Sequence, residues 1–594
     1  MGNYAARITP ALALCALLAM IWISYSSLPR ESQHEGAEIG DGHANGWQRM
    51  LSAYTLLVHI VTTLFALRAF RALGHVIVKI EETACKPWLK ENASSLQPPL
   101  RFAIIIPSYK ETTETLQTTL GVLASHPQAR SCYHVYLAME DREMGSREKA
   151  KRLQNEFGDL FLEISVTIHP EGIVNQAPGK SSNESWAGQQ IMRDYSLPGK
   201  LLEVIVTTMD ADSHLSWRYF AQIAKQHLAL SEEERDLSFY VCPVVFDRNS
   251  HRVPLFVRTA DIFWAGAGIS TMYAQSSVCI PTSVYSMPLS LLEYVGGWDS
   301  DARAIGEDMH MFLKCYFALD GNLRPKVIYA AASQCNVCSE LAGIRGYHDG
   351  IRVRYQQAKR HMWGMLDTGF AVELAAGMVT SRLKWWTRNI ATVTTSIMRR
   401  RVRRQSNRVE HAEHIVRRTV PRWRLPQDTF EPHMRIQKRR TMTVFLRLWE
   451  AHMIPLHLAL VLTISGLYKA VHPDSHIPMM LNTSLDICSV LRLLGFLIMM
   501  AFLYRYNRYH RLCLRLRIED AQLARGEGVS WGENISSHRS AIGMHEAVLF
   551  PLGGLLFGAL PALQATVMHV FTTQLHYVVS AKPLSKDGAG DHHV

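Results

Sequence analysis

Val204-Ile205-Val206-Thr207-Thr208-Met209-Asp210-Ala211-Asp212 is a β-branched apolar run that ends in two carboxylates one residue apart. A continuous apolar run bounded by polar residues is the pattern of a strand covered on both faces, as in parallel sheets. Comparable runs fall at residues 102–106, 134–139, 163–169 and 237–241, and helical patterns such as 112–125 separate them. The alternation predicts an α/β domain built on a mostly parallel sheet. Ligands bind such sheets beyond the carboxyl ends of the strands, which is where Asp210 and Asp212 fall. Two oxygen ligands so placed suit a hard cation, Mg2+ or Mn2+, although a lone D-x-D pair is a weak signal.

Outward from this domain the composition changes. The 594 residues are 48% hydrophobic and 19% charged, but the apolar residues concentrate towards both ends. Runs at 11–28 and 51–67 are long enough to cross a ~30 Å hydrocarbon core as helices. The first also reads as a cleavable signal, with Arg7 ahead of it. Arg68, Arg71 and Lys79 follow the second, so the positive-inside bias puts the α/β domain in the cytosol. Further spans are predicted at 452–468 and 487–504, where Asp486 and Arg492 at the outer end must face protein or snorkel. The stretch 546–579 is broken by Pro551, Gly553, Gly554 and Pro561. It reads as a tilted span with an interfacial helix or as a hairpin, for five or six spans in all.

The expected organisation is two membrane helices in 1–72, the α/β domain in 98–375, a basic interfacial segment in 376–442, a spanning region in 443–582 and a tail in 583–594. Lys and Arg number 63 against 52 for Asp and Glu, and much of the excess lies between Arg382 and Arg440. Beside spans, and with Trp385 and Trp386 at its start, this segment suits a helix at the headgroup level and implies no nucleic-acid partner. Ten cysteines are scattered, and the Cys335/Cys338 pair lacks the second pair of a zinc site.

Three motifs follow the D-x-D pair or precede it. Val295-Gly296-Gly297-Trp298-Asp299 leads to Gly306-Glu307-Asp308, and Gln357-Ala358-Lys359-Arg360-His361 comes later with Trp363 beside it. Asp308, with Glu307 next to it, has the chemistry of a general base for a hydroxyl, though two acids at a helix start also suit the helix dipole alone. Arg360 offers the fork that pairs with a diphosphate. Gly179-Lys180-Ser181 looks like the end of a P-loop, but six residues separate Gly172 from Gly179 where that loop has four, so an ATPase is not expected. His214 reads as a helix-start polar residue rather than a metal ligand.

The order of these motifs resembles family 2 glycosyltransferases, in particular the membrane synthases similar to cellulose, chitin and hyaluronan synthases. The resemblance covers about 100–364 together with the pattern of spans. It implies a GT-A-like catalytic domain inserted between transmembrane helices of a multi-pass, plasma-membrane protein. Ile104-Ile105-Ile106-Pro107-Ser108-Tyr109-Lys110-Glu111 resembles the opening strand and nucleotide-binding turn, with Pro107, Ser108 and Glu111 as contacts. The resemblance further implies that Asp141, rather than Glu140, meets the base or ribose and that Lys180 and Asn183 lie near the diphosphate. Asp210 and Asp212 would hold the metal. Trp298 would face the acceptor, Asp308 would act as base beside Glu307, and Gln357, Arg360 and Trp363 would complete the substrate site.

The implied partners are a nucleotide-sugar donor, UDP-linked by resemblance, a glycan or glycolipid acceptor and the lipid bilayer. The implied product of inverting transfer is a cell-surface or cell-wall polysaccharide. Processive members carry Q-x-x-R-W, whereas His361 follows Arg360 here. This departure keeps single-sugar transfer to a lipid acceptor open. A membrane scaffold with a degenerate domain is the third reading, opposed by the joint presence of Asp210, Asp212, Glu307, Asp308, Gln357 and Arg360.

Overall fold

The computed structural model describes residues 2–28, 44–85, 100–174, 176–195, 203–250, 253–339, 341, 343–380, 435–471, 477–526 and 544–575. Trp385, Trp386, the arginines at 399–404 and the tail 583–594 lie outside these residues.

The apolar runs form the strands expected of them. β1 (Leu100–Ser108), β2 (Tyr133–Glu140), β3 (Glu163–His169) and β4 (Glu203–Thr208) pair in parallel in the order β3-β2-β1-β4. β5 (Ser238–Val241), β7 (Tyr285–Pro288) and β8 (Arg324–Val327) extend the sheet beyond β4 in the order β7-β5-β8. β7 runs antiparallel to both its neighbours, and the Thr207 and Ser286 hydroxyls bond at 2.8 Å across the β4–β7 pair. A separate parallel pair joins β6 (Val244–Phe246) to β9 (Ala332–Gln334). Phe102, Tyr133 and Phe220 close the core beneath β1, with ring centroids 5.1 Å apart for Phe102–Phe220 and 4.6 Å for Tyr133–Phe220.

Among the described residues, five helices are long and apolar enough to cross a membrane: Arg7–Ser26, Gly46–Ala84, Ile454–Val471, Met479–Leu523 and Val548–Phe571. The second and fourth are much longer than a bilayer requires. The 39 residues of Gly46–Ala84 and the 48 of Met479–Gly526 correspond to roughly 58 Å and 72 Å of helix. Their excess length packs side by side and enters the catalytic core. Leu73, Val76, Ile77 and Ile80 are buried in the same cluster as the residues of β1. Arg505 donates to the Phe70 carbonyl at 2.9 Å with its guanidinium over the Phe70 ring, and Arg508 pairs with Glu81 at 3.0 Å. Arg492, expected to face protein or snorkel, lies 3.3 Å from His59 of the second helix.

The stretch expected to hold one or two spans forms a single interrupted helix. Met544–Gly554 continues through a π-helical turn, Leu555–Ala559, into Leu560–Phe571. Pro561 has no N–H to donate and its ring displaces the carbonyl four residues back, so the ladder widens just before it. Contacts near its two ends join it to the helix Leu255–Ile269 and to the first membrane helix. Phe550 meets Phe263 with ring centroids 5.0 Å apart, and Arg7 donates to the Val570 carbonyl at 2.9 Å.

Candidate active site

The carboxyl end of β4, the residue two places before β7 and the starts of two helices converge on Lys180. This residue opens the helix Lys180–Tyr195, and Glu184 one turn later faces the same way. The Lys180 ammonium lies 2.8 Å from Asp210 and 3.7 Å from Glu184, and it pairs closely with Glu307. Glu307 and Asp308 begin the helix Glu307–Ala318, where the dipole favours negative charge. Asp308 accepts from the backbone N–H of Ser283 at 2.9 Å and of Met309 at 2.8 Å. The Ser283 carbonyl in turn accepts from Lys180 at 3.5 Å. Ser283 holds φ at 70°, an unfavourable conformation for a residue with a Cβ, and thereby aims both of its backbone polar groups into the site.

Three carboxylates, Asp210, Glu184 and Glu307, thus share one ammonium, and Asp308 is held beside them by backbone N–H groups. Burial pushes the Glu184 carboxyl up to about 7 although Lys180 opposes the shift and Thr208 donates to it. Burial also raises Glu307 and Asp308, against the opposing charge of Lys180. Oxygen donors with more negative than positive charge fit a hard divalent cation. Among the described residues no group of three or more His, Cys, Asp and Glu side chains could hold a metal ion. A metal at this site would therefore take part of its shell from water or substrate oxygens.

The other expected residues fall into several environments. Pro107 and Ser108 end β1, and Glu111 lies in the turn beyond it. Glu140 is buried at the end of β2 with Arg142, whose guanidinium also covers the Tyr109 ring at 3.7 Å. Asp141 is exposed and pairs with Arg147 at 2.9 Å. Asn183 is buried and donates to the Ala138 carbonyl at 2.7 Å, which ties its helix to β2. Asp212 is buried, with its carbonyl held by Arg248. His214, expected at a helix start, instead forms a backbone bridge with Ser333 ahead of the helix that begins at Trp217, and its ring accepts from Arg517 at 3.0 Å.

The two tryptophans that the resemblance places against the substrates are both buried. Trp298 is 4% exposed; its N–H donates to the Tyr285 hydroxyl at 2.7 Å. Its ring fills the space above Gly188, where a Cβ would come within 2.7 Å of it. Trp363 is fully buried and donates to the Thr573 carbonyl at 3.1 Å. The ring at the expected tryptophan position, His361, stacks on Trp264 with centroids 4.1 Å apart. Gln357 and Arg360 lie in the same helix, Gly343–Trp363.

Asp367, beyond that helix, connects it to the Glu307 helix. His310 bonds Asp367 at 2.6 Å and Asp299 at 3.0 Å, while Lys314 also holds Asp299. Burial works to lower the His310 pKa, but the flanking carboxylates outweigh it and raise it to about 9. The folded state therefore binds this proton more tightly than the free value near 6.5. The resulting stabilisation, on the order of 3 kcal/mol, is present below about pH 6.5 and lost as pH rises through about 9. The melting temperature is expected to fall across that window, and His310→Gln is expected to flatten the fall. An unchanged profile in the variant would assign the pH dependence elsewhere.

Glu184, Ser283, His310 and Asp367 were not among the residues singled out from the sequence. Only Glu184 carried a signal, its i+4 spacing from Lys180.

The model for glycosyl transferase family group 2 matches residues 205–506, and the chain belongs to that family. It is a glycosyltransferase with a GT-A-like domain and candidate membrane helices on either side. Among solved structures it is similar to the mannosyltransferase PcManGT from Pyrobaculum calidifontis, in complex with GDP-Man and Mn2+. The identity is 15% and the TM-score 0.30, covering 66% of this chain and 97% of that one. It is also similar to TarS from S. aureus at 12% identity and TM-score 0.25, covering 43% of this chain and 39% of that one. No curated protein matches the chain.

Proposed function

We propose that the chain transfers a sugar from a nucleotide-sugar, UDP-linked by resemblance, to a growing cell-surface glycan by metal-dependent inversion. The observation that carries this reading is the convergence of Lys180, Asp210, Glu307 and Asp308 at the carboxyl ends of the strands. Asp308 takes the proton of the acceptor hydroxyl, whose oxygen attacks the anomeric carbon as the bond to the diphosphate breaks. Its raised proton affinity suits a general base. Lys180 and Arg360 offset the charge on the departing nucleoside diphosphate. Asp210 and Asp212 would hold Mg2+ or Mn2+, which supplies Lewis-acid stabilisation of the leaving diphosphate when bound.

The binding roles of Pro107, Ser108, Glu111, Asp141, Asn183 and Gln357 belong to the same reading. Burial of Trp298 and Trp363 favours a supporting role for both over direct stacking on sugar. The buried Trp363, together with His361 next to Arg360, supports a second reading in which one sugar is added to a lipid acceptor. Product size separates the two. A labelled ladder or polymer from purified protein and donor supports extension, whereas a single added residue on a lipid extract supports the second reading.

The catalytic domain is assigned to the cytosolic side of the plasma membrane, and the last apolar helix lies along that face instead of crossing. The contacts near its two ends with helices of the catalytic domain, Phe550–Phe263 and Trp363–Thr573, motivate this topology. In sealed vesicles of a cysteine-light background, Val548→Cys and Phe571→Cys are both expected to react with an impermeant maleimide from the catalytic side. Labelling of the two positions from opposite faces would make the helix a crossing.

A further inference from the structure

The fourth membrane helix sends one buried cation into the back of the catalytic domain. Arg517 is 9% exposed and lies well past the apolar half of Met479–Gly526. Its guanidinium donates to Ser333 at 2.9 Å and to the His214 ring at 3.0 Å, and it faces Asp247 at 3.4 Å. These three partners are buried, and Ser333 also donates to Asp247.

Each partner leads towards the reacting groups. His214 lies two residues beyond Asp212, and its backbone exchanges bonds with Ser333 at 2.8 and 3.0 Å. Asp247 precedes Arg248, which holds the Asp212 carbonyl. Ser333 precedes Gln334, whose amide donates to Ser213 at 3.2 Å and closely to Ser283. Ser283 presents its N–H to Asp308. The short strand β9 thus carries Arg517 contacts on one residue and active-site contacts on the next. Its sole strand partner among the described residues is β6, so the bonds from Arg517 add directly to its fixation.

We propose that Arg517 is a positioning residue through which the fourth membrane helix fixes both the Asp210–Asp212 metal motif and the Ser283 backbone that orients Asp308. This rests on the assignment of Asp210 and Asp212 as metal ligands. The geometry requires a planar fork, because one side chain reaches a hydroxyl, a ring nitrogen and a carboxylate together. Lysine keeps the charge but not the fork. Partners that orient metal ligands from behind typically change metal affinity by about 10–100-fold when replaced.

The test compares Mn2+ binding to detergent-purified full-length protein, followed by electron paramagnetic resonance without donor, with the Mn2+ dependence of nucleotide release. Wild type is expected to bind Mn2+ and Asp212→Ala to lose it; failure of this pair overturns the metal assignment itself. Arg517→Lys is expected to weaken Mn2+ binding and raise the half-activating Mn2+ concentration by about tenfold, with a preserved melting temperature. Arg511→Gln, on the exposed side of the same helix, is expected to match wild type. Because an unpaired Asp247 threatens folding, Arg517→Leu/Asp247→Asn removes both charges together. Weak Mn2+ binding in a folded double variant supports positioning. Wild-type Mn2+ affinity in Arg517→Lys, or in the folded double variant, overturns the proposal and leaves the pair with a purely structural role.

Discussion

Asp308→Asn is expected to lower sugar transfer by about a thousandfold or more while leaving donor binding within a few fold of wild type. Asparagine keeps the shape and, with a single accepting oxygen, keeps one of the two bonds from the Ser283 and Met309 N–H groups that hold the side chain at 2.9 and 2.8 Å. It loses the lone pair and charge needed to take the acceptor proton. The distinction lies in where the loss appears. A missing base lowers turnover, whereas a missing contact to the donor raises the donor concentration needed. Stopped-flow or calorimetric donor binding beside steady-state transfer separates the two. Transfer within tenfold of wild type would remove Asp308 from the role of base.

The second large effect is expected at Lys180. Lys180→Met leaves Asp210, Glu184 and Glu307 without the ammonium they share. Removing one partner of a buried charge cluster costs about 3–5 kcal/mol, because the remaining carboxylates stay desolvated and repel one another. Removing a cation that faces a developing negative charge lowers turnover by a further 10²–10³-fold as an order of magnitude, about that of a lost oxyanion donor. The stability loss carries a pH signature. Burial already raises Glu184 to about 7 and Glu307 above its usual range, and without Lys180 both rise further. A carboxyl whose folded pKa is raised favours the fold when protonated, so the variant is expected to melt closer to wild type at pH 5 than at pH 8. An equal deficit at both values would show that the carboxylates are compensated by another group.

The sequence made the first half of this molecule readable because its signals are local. The apolar run within β1 is continuous, and the alternating segment 163–169 coincides with β3. Helix spacing puts Glu184 on the face of Lys180, and the acids at 307 and 308 mark a helix start. β7 was hidden because it has only four residues, ends in Pro288 and owes its place to pairing with β4 and β5. The left-handed backbone of Ser283 has no side-chain signature, since nothing in serine calls for φ near 70°. Burial of the tryptophans was unreadable for a related reason. Trp298 is enclosed because residue 188 is a glycine, and Trp363 because the chain returns to it at Thr573.

Distance along the chain sets the remaining limit. His310 and Asp367 are 57 residues apart, and Arg517 meets His214 across 303. No periodicity connects such pairs. Arg505, Arg508 and Arg517 follow the fourth span, and each reaches a different partner on the domain or the second helix. The long apolar stretch near residue 550 shows the same division. Its length and prolines predicted interruption, while its lie against the bundle depends on contacts such as Arg7 with Val570.

The central claim is that a nucleotide-sugar is cleaved at the Lys180–Asp210–Glu307–Asp308 cluster with metal held by the D-x-D pair. Its most direct test is nucleotide release by purified protein in lipid vesicles, offered a panel of UDP- and GDP-sugars with Mn2+ or Mg2+ and an acceptor extract. The account predicts release from one donor class that depends on the metal and is abolished in Asp210→Ala/Asp212→Ala. Release that persists in the double variant, or absence of release with every donor, metal and acceptor, would contradict it.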